Sequence, residues 1–177
     1  GGTLGTARVV RAPPDGYTLL IYHVGLSTAA TLYRQLPYDT KDAFASIGLI
    51  TDAPMTIDAR SDYPPSTLRE LVDRVRADGG KATMGNAGVG SASHLCGMLF
   101  MSAIGTDLLT VPYKGTGPAM NDLLGGTVDI MCDQTTNTTS QIKSGKVKVY
   151  GVTSAKRVGS LPDVPTLQEQ GLKGFEV

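Results

Sequence analysis

The densest chemistry in the sequence lies at Gly85-Asn86-Ala87-Gly88-Val89-Gly90-Ser91-Ala92-Ser93-His94, which follows a candidate strand and opens a candidate helix. Glycines let a backbone approach a ligand closely, and the first N–H groups of a helix are unpaired at the positive end of its dipole. That combination suits an anion. Ser91 and Ser93 offer hydroxyl donors, or one of them caps the helix, the commoner role for a serine there. The segment is not a P-loop, because Gly90 is followed by Ser91-Ala92 rather than Lys and a hydroxyl residue, and G-x-G-x-x-G is absent in that order. Nor is it a nucleophile elbow, since neither serine has glycines at both required positions. Ser91, His94 and Asp133 can be written as a triad, but any α/β chain of this size supplies such residues by chance.

Two further segments repeat the strand-to-helix geometry. Val111-Pro112-Tyr113-Lys114-Gly115-Thr116-Gly117-Pro118 places Tyr113 where it would line a cleft, while Lys114 reads as solvated loop surface rather than a carboxylate partner. Cys132-Asp133-Gln134-Thr135-Thr136-Asn137-Thr138-Thr139 leaves a strand with more short polar side chains than one cap requires, so some of them should face a ligand. Open α/β sheets bind ligands outside the carboxyl ends of their strands, and the three segments should converge there.

The elements that must position these loops alternate between β-like and helical runs, the pattern of an α/β protein with largely parallel sheets. Candidate strands are 18–22, 46–50, 55–59, 81–84, 108–111, 128–132 and 147–152. The clearest helix spans 68–77, with Leu68, Leu71, Val72 and Val75 on one face and a capping-box spacing at Thr67 and Glu70. Others are expected over 93–104 with Gly105 ending it, from Thr116 to the Gly125-Gly126 pair, and over 136–143 closing at Gly145. The Pro64-Pro65 stretch reads as a connector, and a lobe boundary falls near Pro54.

Bulk composition excludes several classes of function. Sixteen basic and sixteen acidic residues cancel, with no basic stripe, so nucleic acid is not an expected partner. No apolar run approaches the ~20 residues of a membrane span, and the Gly-Gly-Thr start lacks the regions of a signal peptide. Cys96 and Cys132 show no metal or redox spacing and read as two small buried thiols. With only His23 and His94, a histidine-rich metal centre is not expected. The absence of an initiator Met suggests a fragment.

Along nearly its whole length the chain resembles the Bug/TctC-like receptors of tripartite tricarboxylate transporters. The resemblance is carried by APPDGYTLL (12–20), LYRQLPYD (32–39), GNAGVGSASHL (85–95), VPYKG (111–115), DLLGG (122–126), CDQTTNT (132–138), VTSAKR (152–157) and LPDVPT (161–166), closing with Gly174-Phe175-Glu176. It implies a type II periplasmic-binding-protein fold, two α/β lobes with a central cleft, of which this chain would hold a partial first lobe (1–53). The second lobe (54–177) would be nearly complete, with the returning hinge strand at its end. It also implies a periplasmic, monomeric, non-enzymatic receptor, without cofactor or metal, that captures a small mono- or dicarboxylate and passes it to membrane permease subunits. Carried over by position, the ligand-binding residues are Gly88, Gly90, Ser91, Ala92 and Ser93, with Asp133, Gln134 and Thr135 facing them, Tyr113 secondary, and His23 from the first lobe. His23 stands where many relatives have a small Ser or Thr, and reads equally as a specificity residue or as loop surface. The alternative from another class is a small α/β serine hydrolase or transferase using Ser91 or His94.

Overall fold

Five short strands, Met55–Arg60 (β1), Thr83–Asn86 (β2), Leu109–Pro112 (β3), Ile130–Gln134 (β4) and Val147–Val152 (β5), form one sheet in the order β3-β2-β4-β1-β5. The computed structural model describes residues 2–177. β2 pairs in parallel with β3 and β4, whereas β1 is antiparallel to both of its neighbours, β4 and β5. The sheet is therefore mixed, where the alternating pattern led us to expect it largely parallel. The cause is topological: β1 is inserted between two strands from much later in the chain, so no parallel crossover governs its direction.

Helices cover both faces. Leu68–Ala77 (α3) and Ala92–Ile104 (α4) enclose the core of Met55, Ile57, Ala59, Leu71, Phe100 and Ile130, and Thr116–Leu124 (α5) packs Ala119, Met120 and Leu123 with Val128 and Met131 on the other side. Thr135–Lys143 (α6) packs against β4, β5 and β1. α3 starts where the capping-box spacing placed it: Thr67 Oγ1 accepts from Glu70 N at 3.2 Å, and Glu70 reaches back to Ser66 N at 2.7 Å. Gly105 ends α4 with φ +65°.

Cys96 and Cys132 are not the free thiols expected. Both are fully buried and form a disulfide joining α4 to β4 across 36 positions of sequence. Spacing could not reveal this, because only the packing of α4 over β4 brings the two residues together.

The first 54 residues depart most from expectation. Runs 18–22 and 46–50 join no ladder, and they leave Leu19 65%, Ile21 79%, Ile47 84% and Leu49 88% exposed. A period-two pattern specifies a strand only when a neighbouring strand takes its hydrogen bonds, and neither run pairs with a strand among the described residues. Two helices unmarked by the sequence, Thr3–Val10 (α1) and Gly25–Leu32 (α2), begin without a side-chain cap, which removes the usual start signal.

Candidate functional site

The starts of α4, α5 and α6 come together at one edge of the sheet, where β2, β3 and β4 end. Hydrogen bonds tie the loops to one another: Tyr113 N donates to Asn86 O at 2.9 Å, Gly115 N to Ala87 O at 3.2 Å, and Ser93 Oγ to Cys132 O at 2.5 Å. The three segments singled out in the sequence therefore do converge.

Within the first loop each residue has a definable task. Gly88 has φ +113°, and a Cβ there would stand 2.9 Å from Tyr113 O, so a side chain would push the two loops apart. Gly90 has φ +77°. Ser91 is the N-cap of α4, its Oγ accepting from His94 N at 3.1 Å, so the capping role is the one it fills. Ser93 is buried and spends its hydroxyl on the β4 carbonyl. Ala92 opens the helix, and its N–H and that of Ser93 have no acceptor among the described residues. We expect Ser91→Ala to lower stability by about 1 kcal/mol, read by urea unfolding, since only the cap is lost.

Asp133 is nearly inaccessible, and both carboxylate oxygens are in use. Oδ2 accepts from Thr116 Oγ1 at 2.8 Å, and Oδ1 from Gln134 N at 2.7 Å and Asn137 Nδ2 at 3.0 Å. It fastens the starts of α5 and α6 together rather than presenting a free oxygen. The threonine surplus is also largely turned inward, Thr138 Oγ1 to Gln134 O and Thr139 Oγ1 to Thr135 O. Gln134 is half-buried and Thr135 buried, and no partner takes either side chain among the described residues. Thr135 N bonds Pro54 O at 2.9 Å, fixing the end of β4 to the entry of β1.

Tyr113 is committed as well: its hydroxyl donates to Asp122 Oδ2 at 2.6 Å, a bond that, with burial, pushes its pKa up to about 12. Lys114 is exposed. His23 lies beside the site, because a Cβ at Gly25 would meet both His23 Cε1 and Gly90 O at 2.5 Å. Its Nδ1 accepts from Gly25 N at 3.0 Å, and His94 Nδ1 accepts from Gly90 N at 3.4 Å. Burial lowers the pKa of both rings. With Nδ1 accepting, the proton of each neutral imidazole sits on Nε2.

Sequence reasoning missed Asn86 and Thr116. Asn86 Oδ1 accepts from Gly88 N at 2.9 Å, and its buried Nδ2 has no partner. An Asn two residues before a glycine was the available signal, an Asx-turn. Chemically, the edge offers unpaired backbone N–H groups and neutral donors around an organising carboxylate. It does not assemble a nucleophile: Ser91 Oγ meets the backbone of His94 rather than its ring, and Asp133 bonds neither.

Comparison with known proteins places the chain in a family. The sequence matches the tripartite tricarboxylate transporter family receptor over residues 1–177. It is 53% identical over 177 residues to the UPF0065 protein of the TAR-I ttuE-ttuC' intergenic region of Agrobacterium vitis, covering 100% of this chain and 51% of that one. Among solved structures, periplasmic binding protein BugD superposes with a TM-score of 0.92 at 59% identity, covering 100% of this chain and 59% of BugD. MatC of Rhodopseudomonas palustris, with bound malate, gives 0.91 at 38% identity, with 99% and 60% covered. The chain thus spans about half the length of the curated relatives it matches.

Proposed function

The chain belongs to the receptor family of tripartite tricarboxylate transporters, a family of periplasmic binding proteins, and from that premise we propose that it carries one wall of a cleft capturing a small dicarboxylate. The observation that supports this most directly is the convergence of three helix starts, with the Ala92 and Ser93 N–H groups unpaired, on a single sheet edge. Gly88, Gly90, Ala92 and Ser93 offer backbone, Gln134 and Thr135 offer side chains, and His23 and His94 offer neutral Nε2–H donors. Ser91, Tyr113 and Asp133 shape the wall rather than touch the ligand. Malate, the ligand bound to MatC, is the first candidate.

Residues 54–177 belong to one lobe in this reading and 1–53 to part of its partner. The runs at 18–22 and 46–50 support that division, because they lie outside the sheet formed from residue 55 onward and leave apolar side chains uncovered. The loaded receptor, a monomer, delivers its ligand to membrane permease subunits. A buried disulfide accords with an oxidising compartment such as the periplasm.

Calorimetric titration of the full-length protein with malate and a panel of straight-chain mono- and dicarboxylates tests the proposal. Saturable binding of at least one acid is expected, and flat titrations with folded, ligand-free protein would overturn it. In the same assay Gly90→Val should weaken binding on the order of a hundredfold while lowering unfolding stability by about 1–2 kcal/mol. A Cβ there would be in ordinary contact with Leu32 Cδ1 and the Tyr33 hydroxyl at 3.4 Å, so the strain comes from φ +77° and the loss of binding from side-chain bulk where the anion meets the backbone. Binding and stability falling by equal free energies would remove Gly90 from the site.

A further inference from the structure

Asp58 lies in the middle of β1, opposite Met131 of β4 and Val149 of β5, and its side chain is fully buried. Alternation along β1 turns Thr56 and Asp58 to the face covered by α5 and α6, while Met55, Ile57 and Ala59 enter the opposite core. Asp58 Oδ2 contacts Thr56 Oγ1 at 2.7 Å, whereas Oδ1 has no partner among the described residues. An ionised carboxylate holds acceptor sites on both oxygens, and leaving one of them dry and unpaired is costly.

No positive charge offsets this burial. From β4 the facing ionisable group is Asp133, itself an acid. Lys148 of β5 sends its ammonium to the Tyr63 and Pro65 carbonyls instead. On α5, Asp122 is occupied by Tyr113, and α6 presents Thr135, Thr138 and Thr139 over this region, with Lys143 at its far end. Desolvation therefore pushes the Asp58 carboxyl up to about 8, the Asp133 charge adds to the rise, and the Thr56 hydrogen bond opposes it.

The hydroxyls leading away from Asp58 form a chain with a direction. Thr56 Oγ1 is 2.8 Å from Thr138 Oγ1, which is 3.4 Å from Gln134 O at the start of α6, and Thr56 Oγ1 is also 3.4 Å from Asp133 O. A carboxylate would draw the Thr56 hydroxyl, and Thr138 behind it, toward itself. A carboxylic acid donates to Thr56 in the same contact and turns the hydroxyls outward, to the carbonyls of the β4–α6 junction.

We propose that Asp58 carries a proton in the folded protein and is a positioning residue, its proton directing the Thr56–Thr138 chain toward the β4–α6 junction and thereby holding Gln134 and Thr135 in place for the ligand. The clause concerning ligand rests on the carboxylate reading above. The proton itself does not. Because the folded-state value lies above the unfolded one, the stabilisation is complete below about pH 4 and is lost progressively as pH rises to about 8.

Thermal unfolding of the full-length protein and its D58N variant between about pH 5 and pH 9 provides the test. The wild type should lose on the order of 5 °C or more across that range relative to D58N, which mimics the neutral acid and should be the more stable of the two at the alkaline end. Parallel profiles would overturn the proposal. If D58N does not fold, infrared spectra of the wild type decide, since a protonated-carboxyl band present at neutral pH should vanish in alkali, and its absence at neutral pH would overturn the proposal. For the positioning role, malate affinity should fall severalfold in alkali for wild type but not for D58N; an unchanged wild-type affinity would overturn that role. If malate binds at no pH, a search for another acid tests the carboxylate reading, while the unfolding profile still settles the proton.

Discussion

Replacing Cys96 and Cys132 together by alanine should cost the fold about 4 kcal/mol. The bridge closes a span of 36 positions, and releasing it restores that loop's entropy to the unfolded ensemble. It also unfastens α4 from β4 in a fully buried position, one turn away from the bond between Ser93 and the Cys132 carbonyl. Two of the three loops at the sheet edge are thereby held at a fixed separation, so ligand affinity should fall with stability. Urea unfolding of the double variant, beside the wild type with and without reductant, measures the effect. A loss below about 1 kcal/mol would mean that helix packing alone holds α4 in place.

The legible part of this protein was the part whose signals are local. β5 and α3 coincide with their expected bounds, and α4, α5 and α6 begin within a residue of theirs: Thr67 and Ser91 cap α3 and α4, while glycines mark where α4, α5 and α6 stop. The convergence of the three loops was legible too, since one rule about strand ends covers all of them. What the sequence hid depends on three-dimensional partnership. β1 reads like any other strand until its neighbours are known, and the same is true of the disulfide. Residues 18–22 carry a strand pattern but pair with no strand among the described residues, while α2 begins at Gly25 after Val24, which offers no capping side chain. Polar side chains turn inward more than the sequence indicates: those of Asp133, Tyr113, Ser91 and Ser93, all expected at the ligand site, make hydrogen bonds inside the protein. Asn86 and Asp58, not among the residues expected at the site, keep polar atoms unpartnered among the described residues.

Asp133 offers the second large effect and separates organising from contact. Asp133→Leu should destabilise the protein by about 3 kcal/mol or more, because Thr116, Gln134 N and Asn137 lose a buried, charged acceptor and are left unpaired at two helix starts. Asp133→Asn should cost less than about 1 kcal/mol, since its carbonyl can serve Gln134 N and Asn137 Nδ2 while its amide donates to the Thr116 hydroxyl. The ligand readout then discriminates. An organiser replaced by a neutral isostere leaves the edge intact and removes a buried negative charge, so Asp133→Asn should bind a dicarboxylate as tightly as wild type or more tightly. A carboxylate that touched the ligand directly, through a bridging cation or a ligand hydroxyl, would instead lose affinity tenfold or more in the asparagine variant, and Asp133 would return to the list of contacts.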